Sequence, residues 1–444
     1  MTSKSIHYNN ALEIFDAGVS AVKPAILMQQ HLYADEKIIH IGEKIIQRRH
    51  VNQLIVIAAG KAAAAMAQQA EAQLGDAITK GICVTKHGHG LPLSKIKLIE
   101  AAHPIPDEKS LLAGEEILRL LKGLTEKDVV LVLLSGGASA LMEVLPDGCQ
   151  LHQVQQMVNE LICSGAGIHE INAVRKHVSK IKGGALAKAA LPAQVHTLIL
   201  SDVIGDNVDV IASGPTVPDT SFFHTAVTIL EKYGLWHATP ETIKNHLLEG
   251  AKNEMEASLN SGDQRFVNCF TSIIGSNKIA LLAAQKKARD LGYHTSIIKE
   301  NADEHTEALA RTTIKNCAVY NGKRPACLLI GGETTLAVKG TGKGGRNQHF
   351  VLCALDELCK NGSNQTQSGV IVLSAGTDGS DGPTDATGAI AQWETGSDIP
   401  EMKQQIKISL QNFDSNHFFE KNGGLIKTGP TQTNVMDIMV IILL

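Results

Sequence analysis

The sequence predicts an α/β protein organised as two domains, and three observations support that fold class. With 444 residues, the chain is long enough for two buried cores. Several short apolar runs rich in β-branched residues precede a glycine or acid cluster, and helical stretches follow. A polar segment with little core potential, Glu249–Arg265, interrupts this pattern. We therefore place a domain boundary there, between residues 255 and 256.

Five segments share the order of a buried strand and a polar loop. These strands and loops are Leu54–Ala59 with Gly60–Lys61, Val129–Leu134 with Ser135–Ser139, Thr197–Leu200 with Ser201–Asp206, Ala326–Ile330 with Gly331–Thr334, and Gly369–Leu373 with Ser374–Asp381. Continuously apolar strands that alternate with helices indicate a mostly parallel sheet covered on both faces. Ligands of such sheets bind beyond the carboxyl ends of the strands, where these loops lie.

Further elements follow from local composition. Alanine favours helix, so the run Ala62–Ala72 is predicted to form a helix after the first strand. Helices are also predicted from Ala140 onward and over Phe350–Lys360. The apolar run Val435–Leu444 is predicted to be a terminal strand packed into the second domain.

Composition argues against several classes of function. A formal net charge of −4 and an aromatic content of 4% disfavour nucleic-acid binding, which needs basic faces or stacking rings. No apolar stretch approaches the roughly 20 residues that cross a bilayer. The eight cysteines include no CxxC pair, which fits a reducing compartment. We expect a cytoplasmic protein with no membrane or nucleic-acid partner, and leave its oligomeric state open, a homodimer being one option.

Two glycine-rich loops are candidate anion sites. In Ser135–Ser139, small residues would let backbone N–H groups converge on a phosphate at a helix N-terminus, although a tight turn explains the glycines equally well. Gly340–Gly345 matches G-x-G-x-x-G, but the nearest downstream acid, Asp356, falls inside a predicted helix rather than at a strand end. Lys343 and Arg346 suit phosphate better than a dinucleotide ribose, and a solvated basic turn is the alternative.

Carboxylates follow three of the predicted strands. Asp202 and Asp206 follow one strand, Glu333 another, and Asp378 and Asp381 a third. Such carboxylates could hold Mg²⁺, or one could accept a proton from a substrate hydroxyl. Turn capping is the ordinary alternative for any single aspartate. Three clusters at equivalent strand ends favour a shared function.

Two cations complete the set of candidates. Lys61 follows a strand and opens a helix, so it would point at the ligand as a charge for phosphate, unless it simply faces solvent. Arg175 could pair with a substrate carboxylate through two parallel hydrogen bonds, or belong to a basic helix face.

Taken together, these segments resemble a known family. The matching stretches are, in chain order, Ala59–Lys61, Glu100–Asp107, Leu134–Leu141, Asn172–Gly184, Ser201–Asp206, Ala212–Pro218, Gly331–Thr334, Gly344–Gln348, Gly376–Pro383 and Thr428–Thr431. The chain resembles the glycerate 2-kinase family, whose C-terminal domain is known as the MOFRL domain and whose older members were often labelled hydroxypyruvate reductases. Two positions depart from the family pattern: Gln432, where glycine is usual, and Met436, where asparagine is common.

The resemblance implies a Rossmann-like α/β domain over residues 1–255 and a MOFRL α/β domain over 256–444, facing a cleft. It also implies MgATP as phosphoryl donor and D-glycerate as acceptor, with 2-phosphoglycerate as product. The resemblance implies that Lys61 and Arg346 are the cationic residues of the active site and that the Asp202 and Asp378 clusters lie in the cleft; dividing the roles of the acids ourselves, we expect Lys61, Arg346, Asp202 and Asp378 to be catalytic. The expected nucleotide contacts are Ser135, Gly136, Gly137, Ser139, Gly331, Gly332, Glu333, Gly344, Gly345 and Asn347. The expected substrate contacts are Arg175, Lys61 and Ser201, and the expected metal ligands are Asp202, Asp206, Asp378 and Asp381.

Two other functions remain as alternatives. An NAD(P)H-dependent hydroxypyruvate reductase would use Gly340–Gly345 for its cofactor. A non-catalytic module that binds a sugar acid or nucleotide would show binding without turnover. The kinase is preferred because the chain has no convincing acid for a ribose but supplies paired cations and several carboxylates.

Overall fold

A computed structural model of the chain describes residues 6–257, 264–361, 369–394 and 400–444. These residues form two compact units. The first unit combines residues within Met1–Ile26 with residues of Gly275–Leu444, and the second unit is Leu27–Ile274. We call them the C-terminal unit and the N-terminal unit. The predicted boundary differs from this division, because residues 255 and 256 lie inside a helix and residues 6–26 join the C-terminal unit.

The helices and strands of the described residues are numbered separately in chain order. The helices are α1 (Ile6–Ala21), α2 (Pro24–His31), α3 (Ala63–Leu74), α4 (Glu108–Leu121), α5 (Ala138–Leu141), α6 (Leu151–Cys163), α7 (Ile168–His177), α8 (Ala185–Ala190), α9 (Phe223–Lys232), α10 (Glu241–Ala257), α11 (Asn277–Asp290), α12 (Thr306–Ala318), α13 (Arg346–Asn361), α14 (Pro400–Gln411) and α15 (Ser415–Asn422). The strands are β1 (Leu32–Ala34), β2 (Ile38–Ile41), β3 (Lys44–Gln47), β4 (Gln53–Ala59), β5 (Lys80–Lys86), β6 (Ile96–Ala101), β7 (Asp128–Leu134), β8 (Gln194–Leu200), β9 (Cys269–Gly275), β10 (His294–Ala302), β11 (Ala326–Gly332), β12 (Val370–Gly376), β13 (Gly388–Trp393), β14 (Leu425–Ile426) and β15 (Asp437–Leu443).

The main sheet of the N-terminal unit has the strand order β6-β5-β4-β7-β8-β9. Strands β6, β5, β4, β7 and β8 pair in parallel, as their continuously apolar sequences predict. The first strand of the series, β4, lies in the middle, so the chain builds the sheet outward in one direction and then in the other. This order is that of a Rossmann fold, and the expectation of a Rossmann-like domain is confirmed.

Helices cover this sheet and extend the N-terminal unit. α3 packs on β4, β5 and β7 because its alanines bring the helix close to the strands. Apolar side chains of α4 and α8 pack with β4, β5 and β7 in one buried cluster. A second cluster joins α6, α7, α9 and α10, and so fixes the position of α7. A small antiparallel sheet, β1-β2-β3, completes the unit.

The sheet of the C-terminal unit has the order β10-β11-β15-β12-β13-β14 and differs from the prediction of a mostly parallel sheet. Only β10 and β11 pair in parallel; β15 runs antiparallel to both β11 and β12, and β13 and β14 continue antiparallel. The predicted terminal strand is present, but at the centre of the sheet, where all seven of its residues are buried. Its apolar sequence satisfies either direction, so periodicity could not reveal this arrangement.

Of the predicted helices, two are confirmed and one is wrong. α3 and α13 cover the predicted stretches closely. The helix expected from Ala140 onward is instead the single turn α5, which begins at Ala138 and ends at Leu141. None of the helices in the described ranges is long and apolar enough to span a bilayer.

Candidate active site

In the N-terminal unit, the predicted loops meet where β4 and β7 end side by side. Ala59 lies opposite Leu134 in the parallel register, so Gly60 and Ser135 leave the sheet together. The Ser135 N–H donates to the Ala59 carbonyl (3.0 Å), and the Lys61 N–H donates to the Gly136 carbonyl (2.8 Å). β4 and β7 are also the strands at which the strand order reverses, and ligands of open α/β sheets bind at this crevice.

Close packing explains why glycine is needed in these two loops. Gly60 has φ +132°, and a Cβ there would overlap Ser135. A Cβ on Gly136 would overlap the carboxylate of Asp202, which follows β8. A Cβ on Gly137 would crowd the imidazole of His103. The loops therefore bring a carboxylate and an imidazole against the backbone of Gly136 and Gly137.

We call Lys61, His103, Gly136, Arg175 and Asp202 the N-terminal group. Cγ of Lys61 lies 3.4 Å from the Cβ position of Gly137, so the stem of this lysine borders the same backbone. Arg175 reaches it from α7, where Nη2 lies 3.4 Å from the carbonyl of Ser139. Lys61 follows β4 and Asp202 follows β8, and the loop after β7, which lies between these strands, contacts both residues.

The electrostatics of the N-terminal group favour an anion. Burial, followed by the charges of Lys61, Lys86 and Arg175, lowers the pKa of His103 to about 4, so the imidazole is neutral at pH 7. Burial also lowers the pKa of Arg175, an effect that Glu143 partly offsets. Because Glu143 is itself paired with Lys182, the charges of Lys61, Lys86 and Arg175 leave positive potential for a phosphate or a carboxylate ligand.

Ser135, Ser139 and Ser201 are held by protein contacts. Oγ of Ser135 is buried and accepts the N–H of Ala62 (3.1 Å), and the hydroxyls of Ser139 and Ser213 share a hydrogen bond (2.7 Å). Ser201 is buried, and its Oγ accepts the N–H of Val203 (3.3 Å). These side chains stabilise the loops, so a phosphate contact would come from backbone N–H groups.

The loop after β8 has an unusual backbone. Asp206, Ala212 and Ser213 have φ of 55°, 54° and 60°, and Gly214 follows with φ 59°. Each left-handed residue with a side chain costs roughly 1–2 kcal/mol. Such strain persists only where surrounding structure imposes it, and it is concentrated at functional sites. The loop that carries Asp202 and Asp206 is therefore held in a conformation that local preference would not choose.

In the C-terminal unit, the antiparallel direction of β15 places an additional carboxylate among the predicted loops. Asp437, the first residue of β15, lies opposite Gly332 at the end of β11 and opposite Gly376 at the end of β12. The sequence does not predict Asp437 as a site residue, because loops that follow strands are the expected positions in a parallel sheet. In this antiparallel pairing, the start of β15 lies beside the ends of β11 and β12. The sequence feature that could have identified Asp437 is a single acidic residue directly before six apolar residues in the terminal strand.

Arg346 is held by two carboxylates. Its Nε and Nη2 donate to Asp437 Oδ2 (2.5 Å) and Oδ1 (3.0 Å), and its Nη1 lies 2.8 Å from Glu333 Oε1. Burial lowers the pKa of Arg346, but Asp437 and Glu333 more than offset this, and the pKa is raised. Asp437 is buried, whereas the side chain of Glu333 is 45% exposed. A ligand anion can thus replace Glu333 while Asp437 keeps the guanidinium in place.

Asp381 has the contacts of a helix cap. Its Oδ1 and Oδ2 accept the N–H groups of Asn347 (3.0 Å) and Gln348 (2.8 Å) at the start of α13. Burial raises the pKa of Asp381 to about 6. Both oxygens are therefore engaged within the protein, and the prediction of Asp381 as a metal ligand gains no support from these contacts.

The other predicted contacts of the C-terminal unit are also explained by packing. Asn347 is buried and its side-chain oxygen accepts the hydroxyl of Ser374 (2.5 Å). A Cβ on any of the four predicted glycines would overlap a neighbouring residue. The pairs are Gly331 with Asn277, Gly332 with Ala302, Gly344 with Ser415 and Gly345 with Asp381. Asp378 forms an Asx-turn, in which Oδ1 accepts the N–H of Ser380 (2.9 Å).

Comparisons with known proteins identify the family. Residues 10–248 match the family model described as a domain of unknown function (DUF4147), and residues 326–437 match the MOFRL family. A relative from Thermotoga maritima named D-glycerate 2-kinase is 39% identical over 90% of this chain and 92% of its own length. The chain belongs to the glycerate 2-kinase family.

Another relative and a solved structure extend this comparison. A protein from Agrobacterium vitis, provisionally named hydroxypyruvate reductase, is 36% identical over 97% of this chain and 93% of its own length. The crystal structure of a glycerate kinase from Thermotoga maritima superimposes with a TM-score of 0.84 at 36% identity, covering 98% of this chain and 99% of that one. The fold expected for a member of the glycerate 2-kinase family is thus confirmed.

Proposed function

We propose that this chain transfers the γ-phosphoryl group of ATP to the C2 hydroxyl of D-glycerate, with Mg²⁺, and releases 2-phosphoglycerate. The observation that carries the proposal is the N-terminal group, in a member of the glycerate 2-kinase family: Lys61 follows β4 at the switch point of a Rossmann-ordered sheet, and Asp202 packs from the loop after β8 against Gly136 at that point. Phosphoryl transfer needs positioning and charge neutralisation, which cations and carboxylates at strand ends supply.

The proposed roles follow from charge and burial. Lys61 and Arg346 neutralise phosphate oxygens, and Arg175 pairs with the carboxylate of glycerate. In the Ser135–Ser139 loop, the N–H groups of Gly136 and Gly137 contact the nucleotide phosphates, because the N–H of Ser135 already donates to Ala59. As the hydroxyl oxygen bonds to phosphorus, the bond from phosphorus to the leaving oxygen of ADP breaks, and the hydroxyl proton passes to Asp202 or Asp378.

The donor set of the loop after β8 fits Mg²⁺. Asp202 and Asp206 are partly exposed carboxylates on one short loop, and Mg²⁺ prefers one or two carboxylates together with phosphate oxygens and water. In the C-terminal unit Asp378 remains a candidate ligand, whereas Asp381 is left out because its oxygens cap α13. When bound, the cation would neutralise charge on the phosphates.

The reductase is the second candidate, since a relative carries that name, but three features disfavour it. In a Rossmann dinucleotide site the glycine fingerprint follows the first strand, whereas β4 is followed by Gly60 and Lys61. The next strand, β5, ends at Lys86 rather than at an acid for the ribose. Gly340 and Gly342, which begin the G-x-G-x-x-G stretch, pack against the backbone of Asn412 instead of following a strand directly.

Product analysis tests the proposal. Incubation with MgATP and D-glycerate should give 2-phosphoglycerate, which phosphorus NMR distinguishes from 3-phosphoglycerate. Formation of 3-phosphoglycerate would contradict the assigned hydroxyl. Oxidation of NADH or NADPH by hydroxypyruvate, without turnover of ATP, would favour the reductase instead.

Substitution of the two cations tests their roles. Lys61→Ala and Arg346→Ala should each reduce kcat roughly 10²–10³-fold, the usual effect of removing a group that stabilises transition-state charge. Lys122→Ala and Arg49→Ala remove exposed cations of the same types and are the matched controls. Steady-state kinetics that leave Lys61→Ala or Arg346→Ala within a few-fold of the wild type would rule out the assigned role.

A further inference from the structure

The helix that carries Arg346 also bears a cluster of side chains outside the groups described above. His349 and Cys353 are four residues apart on α13 and therefore lie on the same face of the helix. Glu307, in the first turn of the neighbouring helix α12, faces them. One ligand atom from each of the three side chains lies within 4.8 Å of the other two. These are nitrogen, sulfur and oxygen donors, the types that bind zinc.

We propose that Glu307, His349 and Cys353 bind one divalent transition-metal ion of the zinc class, with water as a fourth ligand. Bonds of about 2.0–2.3 Å in a tetrahedral site place ligand atoms roughly 3.3–3.8 Å apart. His349 Nε2 and Glu307 Oε1 already lie 3.2 Å apart. The other two pairs of ligand atoms lie within 4.8 Å, so each separation needs to shorten by no more than about 1.5 Å.

The cluster is held by rigid neighbours. The imidazole of His349 stacks on the ring of Phe413, with centroids 5.1 Å apart and planes inclined by 5°. Its backbone N–H donates to the Gly345 carbonyl at the start of α13. Side chains carried by helices are positioned more precisely than those on loops, so less order is lost when they bind a metal.

Burial and exposure within the cluster suit entry of a metal. His349 and Cys353 are buried, whereas the side chain of Glu307 is 47% exposed and leaves one side open to water. A three-ligand site with an open position is the usual form of a zinc site that keeps a water. On binding, the thiol of Cys353 becomes a thiolate and its proton passes to solvent.

The charges around the cluster are nearly balanced. Arg311 lies near it, but the guanidinium is paired with Asp356 (2.9 Å) and lies 3.7 Å from Glu357. The nearby cation therefore does not act as an unpaired positive charge against the metal. A thiolate and an imidazole favour Zn²⁺ or Co²⁺ over Mg²⁺, so this site would not compete for the cation of a nucleotide.

Spectroscopy with Co²⁺ tests the proposal without any readout of activity. The full chain, stripped with a chelator, should bind one Co²⁺ and show the thiolate-to-metal absorption of a cysteine ligand together with strong visible bands of four-coordinate Co²⁺. Zn²⁺ should displace the Co²⁺ and abolish the bands, whereas Mg²⁺ should not. A wild-type chain without thiolate absorption would overturn the proposal.

Three variants localise the site. Cys353→Ser should abolish the thiolate absorption, and Glu307→Gln, at an exposed position, should keep it but weaken Co²⁺ binding by about tenfold or more. Cys359→Ser, a buried cysteine on the same helix, is the matched control and should behave as the wild type. Thiolate absorption that persists in Cys353→Ser, or an affinity unchanged in Glu307→Gln, would show that the metal binds elsewhere.

Discussion

At the scale of single residues, the two departures from the family pattern have a structural explanation. Gln432 and Met436 have φ of 64° and 69°, in the left-handed region that glycine and asparagine adopt most readily. They flank the segment that leads into Asp437. The N–H of Thr377 donates to the carbonyl of Met436 (2.9 Å), so this conformation is fixed by contacts of the loop after β12. The glycine and asparagine that are usual at positions 432 and 436 are thus explained by the left-handed backbone conformation of these positions.

Gln432→Gly should therefore stabilise the protein. The left-handed conformation costs a residue with a Cβ roughly 1–2 kcal/mol. The greater freedom of glycine in the unfolded chain offsets about 0.5–1 kcal/mol of that. We expect the free energy of unfolding in urea to rise by about 0.5–1 kcal/mol, since the side chain is exposed. Gln432→Ala keeps the Cβ and should give no gain; an equal gain in both variants would contradict this explanation.

A buried histidine should contribute to acid sensitivity. Burial, and secondarily Lys44, lowers the pKa of His196 to about 4, whereas the pKa in an unfolded chain is about 6.5. Between these values the unfolded chain binds more protons, so the free energy of unfolding falls as the pH falls from 6.5 to 4.

His196→Gln should remove this contribution. Relative to the wild type, its free energy of unfolding should fall less between pH 6.5 and pH 4, by up to about 3 kcal/mol. Urea denaturation at a series of pH values measures this difference. The exposed His152→Gln is the control and should follow the wild type. Parallel curves for His196→Gln and the wild type would exclude the proposed cause.

At the scale of elements, the loops after β4 and β7 are hydrogen-bonded to each other because their strands end side by side in the parallel register. Gly136 is the residue at which the β7 loop touches the loop after β8. A Cβ there would overlap the carboxylate of Asp202, whereas the backbone hydrogen bond from Lys61 to Gly136 needs no glycine. The position of Asp202 therefore depends on the absence of a side chain at Gly136 in the neighbouring loop.

Gly136→Ala should displace Asp202 and, given the proposed function, reduce activity. Misplacement of a reacting group by about 1 Å can cost roughly 10²-fold in rate. We expect kcat to fall about 10–100-fold with a thermal midpoint close to that of the wild type. Gly167→Ala is the matched control, because a Cβ at Gly167 lies no closer than 3.8 Å to Glu170. Steady-state kinetics of Gly136→Ala equal to those of the wild type would contradict the claim that Gly136 positions Asp202 for activity.

At the scale of the whole molecule, the C-terminal unit is built from two separate parts of the chain. α1 packs on α11 and β15 of this unit. Gly18 allows the close approach, since a Cβ there would lie 2.9 Å from Cδ1 of Ile438. The hydroxyl of Thr433 donates to the carbonyl of Val22 (2.7 Å). Residues 275–444 thus lack part of their core when residues 6–26 are removed.

A fragment of residues 275–444 should therefore be unstable alone and be restored by a peptide of residues 6–26. The peptide buries Ile14, Phe15 and Val19, each worth about 1.5–3 kcal/mol, which is comparable with the stability of a domain. Circular dichroism should show cooperative melting only with the peptide. A peptide with Gly18→Val is the control and should fail, because its side chain would overlap Ile438; cooperative melting of the fragment alone would refute the assignment.

Local sequence was sufficient for much of the candidate site. Apolar runs located the strands, and the polar residues after them are the residues found at the strand ends, as with Lys61 and Asp202. Local sequence did not predict the site residues whose positions depend on the direction of a strand or on packing between distant loops. Asp437 lies beside Arg346 because β15 runs antiparallel, so only that pairing gives Arg346 its second carboxylate partner. His103 follows β6 at the far edge of the sheet, so only the packing of its loop against Gly137 reveals its place.

The sequence by itself determined which segments become buried strands, which loops follow them and which family the chain resembles, because these depend on residues close together along the chain. The tertiary structure alone decided the direction of β15, the joining of α1 to the C-terminal unit and the engagement of Asp381 as a helix cap. Those outcomes depend on pairing and packing between distant segments. An apolar strand satisfies either direction of pairing, and a carboxylate looks the same whether it faces a metal or a helix N-terminus.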